Sequence, residues 1–299
     1  CKKSLLEHQK WINHEAIHLP LIRIPQDLKL IDKGFPYLIG KNYLPDHIYE
    51  LAEKELFSTQ NNLFDLCLPI YLIENDEPIW LDRDDTLEVV RWTISHIDNK
   101  PMNQVSTSSV LSHFYESISS LENYSKTKGL IPGNVKKKIT LTTFPINYQA
   151  GSVVHLFDYQ PKNIHSDILY YVQQQENADN LFSLTSQKID LVNARNIIPG
   201  HSVQIAHAQK NPYSIRYIFP DPINEAGWQI YALQMIINEG FGGSEGIYHI
   251  LSLKEQVRVA CQTFIEGKYY AGKMNRKEAI NYLRKKAFIN IAEAENFIV

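Results

Sequence analysis

Between Arg195 and Ile237 the sequence gathers side chains of the types that bind metals and move protons: His201, His207 and Glu225, with Arg195 and Asn196 just upstream. Zinc takes neutral imidazole and carboxylate ligands and keeps one position open for a water, whose pKa it lowers towards ~7. A nearby carboxylate must then take the proton. As a ligand set these residues are poorly spaced, because histidines six positions apart on a helix point in divergent directions. The plainer reading makes His207 an exposed helix histidine and Glu225 a cap on the positive end of a helix over 227–239. Gly240-Phe241-Gly242-Gly243-Ser244-Glu245-Gly246 has the glycines of a phosphate loop, but it follows a helix and lacks the Gly-Lys-Ser/Thr ending, so a helix C-cap is expected. Lys136-Lys137-Lys138 reads as a solvated turn. His155 and His165 lack ligand spacing, and His8, His14 and His18 read as surface residues. No Gly-x-Ser-x-Gly elbow is present.

The run Pro199-Gly200-His201-Ser202-Val203-Gln204-Ile205-Ala206-His207-Ala208-Gln209, followed by Glu225-Ala226-Gly227-Trp228-Gln229-Ile230-Tyr231-Ala232, resembles the bacterial domain-of-unknown-function family 885. That family shows His-Glu-x-x-Pro-Gly-His-His-x-Gln and then Glu-Gly-Trp-Ala-Leu-Tyr-Ala-Glu. Weaker similarity covers 43–56, 258–266 and 277–283. The resemblance implies a gluzincin-like arrangement of two imidazoles and a carboxylate on zinc, with a glutamate as base. Carried across, the first His falls on Arg195, the base on Asn196, the second His on His201 and the last ligand on Ala226, while the family's later Asp and His fall on Gln262 and Glu266.

Those replacements remove the chemistry. A guanidinium stays protonated and has no lone pair for a metal, an amide is no general base, and a methyl group donates nothing. The resemblance therefore implies a pseudoenzyme of metallopeptidase-like ancestry, with no catalytic residue at Arg195, Asn196 or Ala226 and no bound cofactor. His201, Glu225, Trp228, Tyr231 and Arg258 would line a vestigial cleft that takes peptide or protein segments, with Tyr159 as a further aromatic wall. Arg195 would fill the old cation position by pairing with an acid, Glu225 or Glu266 being within plausible reach, or else would point to solvent as arginines usually do. The alternative is an active metal-dependent hydrolase with zinc on a rearranged site around His201 and Glu225.

The elements that must position these residues are mostly helices. Ile48, Leu51, Ala52 and Leu56 share a face after Pro45-Asp46; Leu87, Val90, Ile94 and Ile97 follow Asp84 or Asp85; Val110, Phe114, Ile118 and Leu121 line a helix over 109–124. Between residues 129 and 172 the punctuation by Pro and Gly, with β-branched runs at 139–144, 153–157 and 168–172, predicts a small β-rich insert. Helices resume from about residue 183, with a helix carrying 195–207, another over 226–239 ending at Gly240, a third over 247–266 and one over 275–286 opened by an Asn275/Glu278 capping box. The expected fold is mainly α, with regions 1–128, 129–172 and 173–299 forming one structural domain, and with the 195–207 and 226–239 helices facing each other across a cleft.

The bulk properties agree. The chain has 299 residues, 44% hydrophobic and 21% charged, enough for a sizeable core. A net charge of −3 provides no basic field for nucleic acid. No apolar run reaches the ~20 residues of a membrane span, and Pro69 interrupts the nearest, 66–73. Cys67 and Cys261 are too far apart for a thiolate site and read as buried thiols. Cys1 followed by Lys2, Lys3 and Ser4 has the look of a processed bacterial lipoprotein, lipid-anchored on the periplasmic side of the envelope; an interior cut of a longer or cytoplasmic chain would look the same.

Overall fold

Apolar spacing and end chemistry together set the helices. The computed structural model describes residues 2–15, 37, 44–75, 83–100, 104–132, 139–143, 154–157, 168–172, 185–210, 221–243, 246–270 and 272–298. After α1 (Lys2–His14) comes α2 (Pro45–Glu74), which opens with Pro at its first turn, where no N–H partner is lost, and Asp46 beside the positive end. Its buried stripe is Ala52, Leu56, Thr59, Gln60, Leu63 and Cys67. Leu51, expected on that stripe, lies off it and is 45% exposed. Pro69 does not interrupt the helix, which carries it on an exposed face and runs on to Glu74. Next come α3 (Arg83–Asn99) and α4 (Val110–Thr127), which bury Leu87, Val90, Ile94 and Ile97, and Val110, Phe114, Ile118 and Leu121.

The strand-rich segment forms as its residue types require. β1 (Ile139–Thr143), β2 (Val154–Phe157) and β3 (Ile168–Val172) make a sheet in the order β1-β3-β2, with β1 parallel and β2 antiparallel to β3. Its buried face, Leu141, Tyr170 and Val172, packs with Phe114 and Ile118 of α4.

The second half holds α5 (Ser186–Asn196), α6 (His201–Gln209), α7 (Pro222–Asn238), α8 (Ile247–Tyr270), α9 (Arg276–Lys286) and α10 (Ile291–Phe297). Two of its boundaries differ from expectation. The helix expected to carry residues 195 to 207 is two helices, because Pro199 has no N–H to continue the ladder. Helix α7 begins at Pro222 and is capped by Asp221, whose Oδ1 accepts from the backbone N–H of Ile223 (3.0 Å) and Asn224 (3.4 Å); Glu225 sits one turn in. The glycine stop is of Schellman type: Gly240 N–H donates to the Ile237 carbonyl (2.9 Å) and Phe241 N–H to that of Ile236 (3.1 Å). Gly240 has φ +96°, and Phe241 buries itself against Tyr124 and Tyr248. The Asn275/Glu278 capping box is present, and a second, Asn290/Glu293, opens α10.

Helix α8 packs along α2, with α3, α9 and α10 closing a core around Leu63, Cys67, Val90, Val257, Cys261 and Leu283. Tyr49 lies so close to Gly267 that a Cβ there would be 2.4 Å from its ring. Burial pushes the Cys67 and Cys261 thiols up to about 12, so both are inert core groups. Among the described residues no helix is long and apolar enough to cross a membrane.

Candidate functional site

The site is organised by the turn between α5 and α6. Helix α5 ends where Ile197 and Ile198 both donate their N–H to the Asn193 carbonyl (2.7 and 3.0 Å), followed by a cis Ile198–Pro199 bond. Gly200 then passes against the end of α5: a Cβ there would lie 1.7 Å from the Arg195 carbonyl oxygen and 2.6 Å from that of Ala194. Only glycine fits, since backbone cannot move aside as a flexible side chain can. Two aromatic donors clamp this turn. Trp228 Nε1 on α7 donates to the carbonyls of Pro199 (3.3 Å) and Gly200 (3.1 Å), and Tyr170 Oη on β3 donates to the Asn196 carbonyl and lies 3.0 Å from Ser202 Oγ. The β-rich insert thus has a positioning role, with one buried tyrosine reaching the turn.

Arg195, in the last turn of α5, reaches α8. Its Nη1 donates to Glu255 Oε1, which also accepts from Arg258 Nη2 (2.5 Å), while Arg258 Nε donates to Glu255 Oε2 (2.7 Å). The Arg195 and Glu255 side chains are 29% and 24% exposed. Burial opposes ionisation of Glu255, but the hydrogen bond and charge of Arg258 and the charges of Arg195 and Lys254 outweigh it, holding the carboxyl below its usual range. The polar ladder continues along α8: Arg258 Nη1 donates to Gln262 Oε1 (3.1 Å), Gln262 Nε2 to Glu266 Oε1 (3.1 Å), and the Arg258 guanidinium lies 4.8 Å from the Phe297 ring. The acid that receives Arg195 is therefore Glu255, and neither Glu225 nor Glu266, which corrects the sequence expectation. Glu255, Arg258, Gln262 and Glu266 are spaced 3, 4 and 4 residues apart. That one-face spacing is the signal that could have found Glu255.

The other expected residues sit on the α6–α7 side. His201 is the first residue of α6, and its Nδ1–H donates to Gln204 Oε1 (3.2 Å), whose amide in turn donates to the Asn224 carbonyl (3.2 Å) and Oδ1 (3.0 Å) on α7. Ala226 is exposed, as are His207 and Tyr231, the latter by 56%. Trp228 and Tyr231 share a face, their rings 5.8 Å apart. Helices α6 and α7 lie against each other, Gln204 joining α6 to Asn224 of α7 and Trp228 joining α7 to the turn before α6. Among the described residues no group of three His, Cys, Asp or Glu converges as a metal set. A zinc set of the kind the sequence resemblance implies does not fit the groups present, since Arg195 is a donor held by an acid and Ala226 offers no donor atom. Tyr159, His18, His165 and Lys136–Lys138 lie outside the described residues.

Two further polar clusters border the site. Lys188 Nζ is 2.8 Å from Asp98 Oδ1 and Lys254 Nζ 4.0 Å from Asp98 Oδ2; burial and the charge of Lys254 lower the Lys188 pKa, with Asp98 opposing. Asp190 accepts from Tyr248 Oη (2.6 Å), and burial raises its carboxyl against the pull of the Ser117 and Tyr248 hydroxyls.

With this geometry in place, the family model described as "Bacterial protein of unknown function (DUF885)" matches residues 35–298. The chain belongs to that family. Two solved structures share the fold seen here. A "putative lipoprotein of unknown function" from Shewanella oneidensis superposes with a TM-score of 0.75 at 19% identity, covering 99% of this chain and 54% of that one. A "putative lipoprotein" from Colwellia psychrerythraea gives 0.73 at 14% identity, covering 90% and 45%. This chain thus spans about half the length of these relatives. No curated protein matches it.

Proposed function

We propose that this chain is a non-catalytic member of the DUF885 family, an accessory protein of the bacterial envelope that binds peptide or protein segments. The observation that carries the reading is the Arg195–Glu255 pair. At the position where the resemblance expects the first zinc imidazole stands a guanidinium, held by an acid from α8. The neighbouring positions support it, because Asn196 is an amide and Ala226 an exposed methyl. What persists is packing: Gly200, Trp228 and Tyr170 keep the turn in place. The exposed Tyr231 beside Trp228 provides an amphipathic surface of the sort peptide binders use. Two relatives described as "putative" lipoproteins favour an envelope location with an acyl anchor on Cys1.

The rearranged-site hydrolase has His201 and Glu225 in the first turns of adjacent helices, but His201 has already committed Nδ1 to Gln204. A metal there would have one imidazole nitrogen and one carboxylate. Incubation of the purified chain with a mixed peptide library, with and without added zinc, tests the choice. We expect no cleavage in either case, and peptide capture that falls about tenfold in Tyr231→Ala, equivalent to about 1.4 kcal/mol. Zinc-dependent cleavage abolished by His201→Ala would overturn the reading.

A further inference from the structure

The charge around Glu255 does not balance. Among the described residues, Arg195 from α5 and Lys254 and Arg258 from α8 all act on this one carboxylate. Asp98 offsets Lys254 only at 4.0 Å and is shared with Lys188. Glu293 also acts on Arg258, but its Oε2 already accepts the Asn290 N–H at 2.8 Å in the cap of α10. The region that would hold a divalent cation in a zinc enzyme is in this chain rich in cations.

Its donors also have a shape. Arg258 grips Glu255 through two parallel N–H groups, the planar fork that matches a carboxylate. Arg195 contributes only Nη1, and its Nε–H is buried without an acceptor among the described residues. A buried donor of this kind calls for a partner. The side chains of Arg195, Glu255, Arg258 and Lys254 are between 15% and 29% exposed, so the cluster opens to solvent.

We propose that this cluster is an anion site for a ligand carboxylate, which docks on the solvent-open part of the Arg195 guanidinium while Glu255 anchors its Nη1. The inference rests on the peptide-binding reading above and names what the peptide would present: a C-terminal or acidic side-chain carboxylate.

Thermal melts of the intact chain test it, with N-acetyl-trialanine, its C-terminal amide, inorganic phosphate and chloride at matched ionic strength as probes. The free acid should raise the midpoint by roughly 5 °C near saturation, and the amide and chloride should not. Glu255→Gln removes the competing charge while its amide oxygen can still accept from Arg195 Nη1, so it should tighten binding of the acid about tenfold, and Arg195→Gln should abolish it. Should Arg195→Gln not fold, Arg195→Lys keeps the charge but loses the fork, and should weaken the acid's effect. Equal shifts from acid and amide, or an undiminished shift in the Arg195 variants, overturn the site. A larger shift from phosphate than from the peptide acid overturns the carboxylate assignment in favour of free phosphate. A chain that neither cleaves peptides nor responds to any anion loses this inference and keeps the reading on which it rests.

Discussion

Two regions meet at the C-terminal end of α5 and are held by different physics. On one side the Ile197–Gly200 turn is fixed by neutral hydrogen bonds from Trp228 and Tyr170 and by backbone so close that no side chain fits at Gly200. On the other, Arg195, Glu255 and Arg258 are fixed by charge and stay partly open to solvent. The first should be intolerant of volume and indifferent to pH. The second should tolerate changes of volume but not of charge.

The largest effect should come from volume. Gly200→Ala drives a methyl into the Arg195 carbonyl and should cost more than about 4 kcal/mol, read in urea unfolding as a large fall in midpoint or as insoluble protein. A variant within about 0.5 kcal/mol of the parent would show that the turn is not rigid.

Removing charge should come next. Glu255→Ala strands two guanidinium groups and should cost about 3 kcal/mol, with added salt recovering part of the loss because the cluster is partly open. The pH dependence has a definite sign. Glu255 has a folded pKa below its ordinary 4.5, so its stabilisation is present above the unfolded value and disappears as pH falls through the folded one. Acid melts of the parent and Glu255→Ala should therefore converge below the usual carboxylate range. Parallel curves down to the lowest pH would contradict the pairing.

A smaller effect is expected at the α2–α8 contact. Gly267→Ala meets the Tyr49 ring, a side chain able to swing, so the cost should be about 2 kcal/mol by urea unfolding, well below that at Gly200. Equal costs at the two glycines would dissolve the distinction between backbone and side-chain obstruction.

The smallest effect has the opposite sign. The Asp190 carboxyl is raised by burial, so its contribution to stability is present below the unfolded pKa and lost as pH rises through the folded one. Asp190→Asn has no proton to lose and still accepts from Tyr248, so it should gain roughly 2 °C in midpoint at neutral pH and nothing in acid. A loss at neutral pH would mean that the ionised form is the one the fold prefers.

How far these regions could be read in advance follows the same division. Helix faces were legible where the apolar spacing was regular, as in Val110, Phe114, Ile118 and Leu121, and the strands were legible from β-branched runs at 139–143 and 168–172. Local end chemistry was legible too, in Asn275/Glu278 and Gly240. The break after Asn196 is not legible, because a single Pro-Gly pair can either shape a helix or end one, and the close approach that decides it involves carbonyls brought together only by the fold. Glu255 shares a legible α8 face with Arg258, Gln262 and Glu266, but its pairing with Arg195, 60 residues away, leaves no periodic trace. The sequence leaves open whether Arg195 pairs with an acid or points to solvent; that it meets Glu255 depends on how α8 crosses α5.

The central claim is that Arg195 and its acid stand where the family resemblance expects a metal. Elemental analysis of the purified chain, after incubation with excess zinc and desalting, addresses it most directly, with Arg195→His alongside. The account predicts no stoichiometric zinc in either protein, because Ala226 still offers no donor atom to complete a ligand set. About one zinc per chain in the parent, lost on His201→Ala, would contradict it.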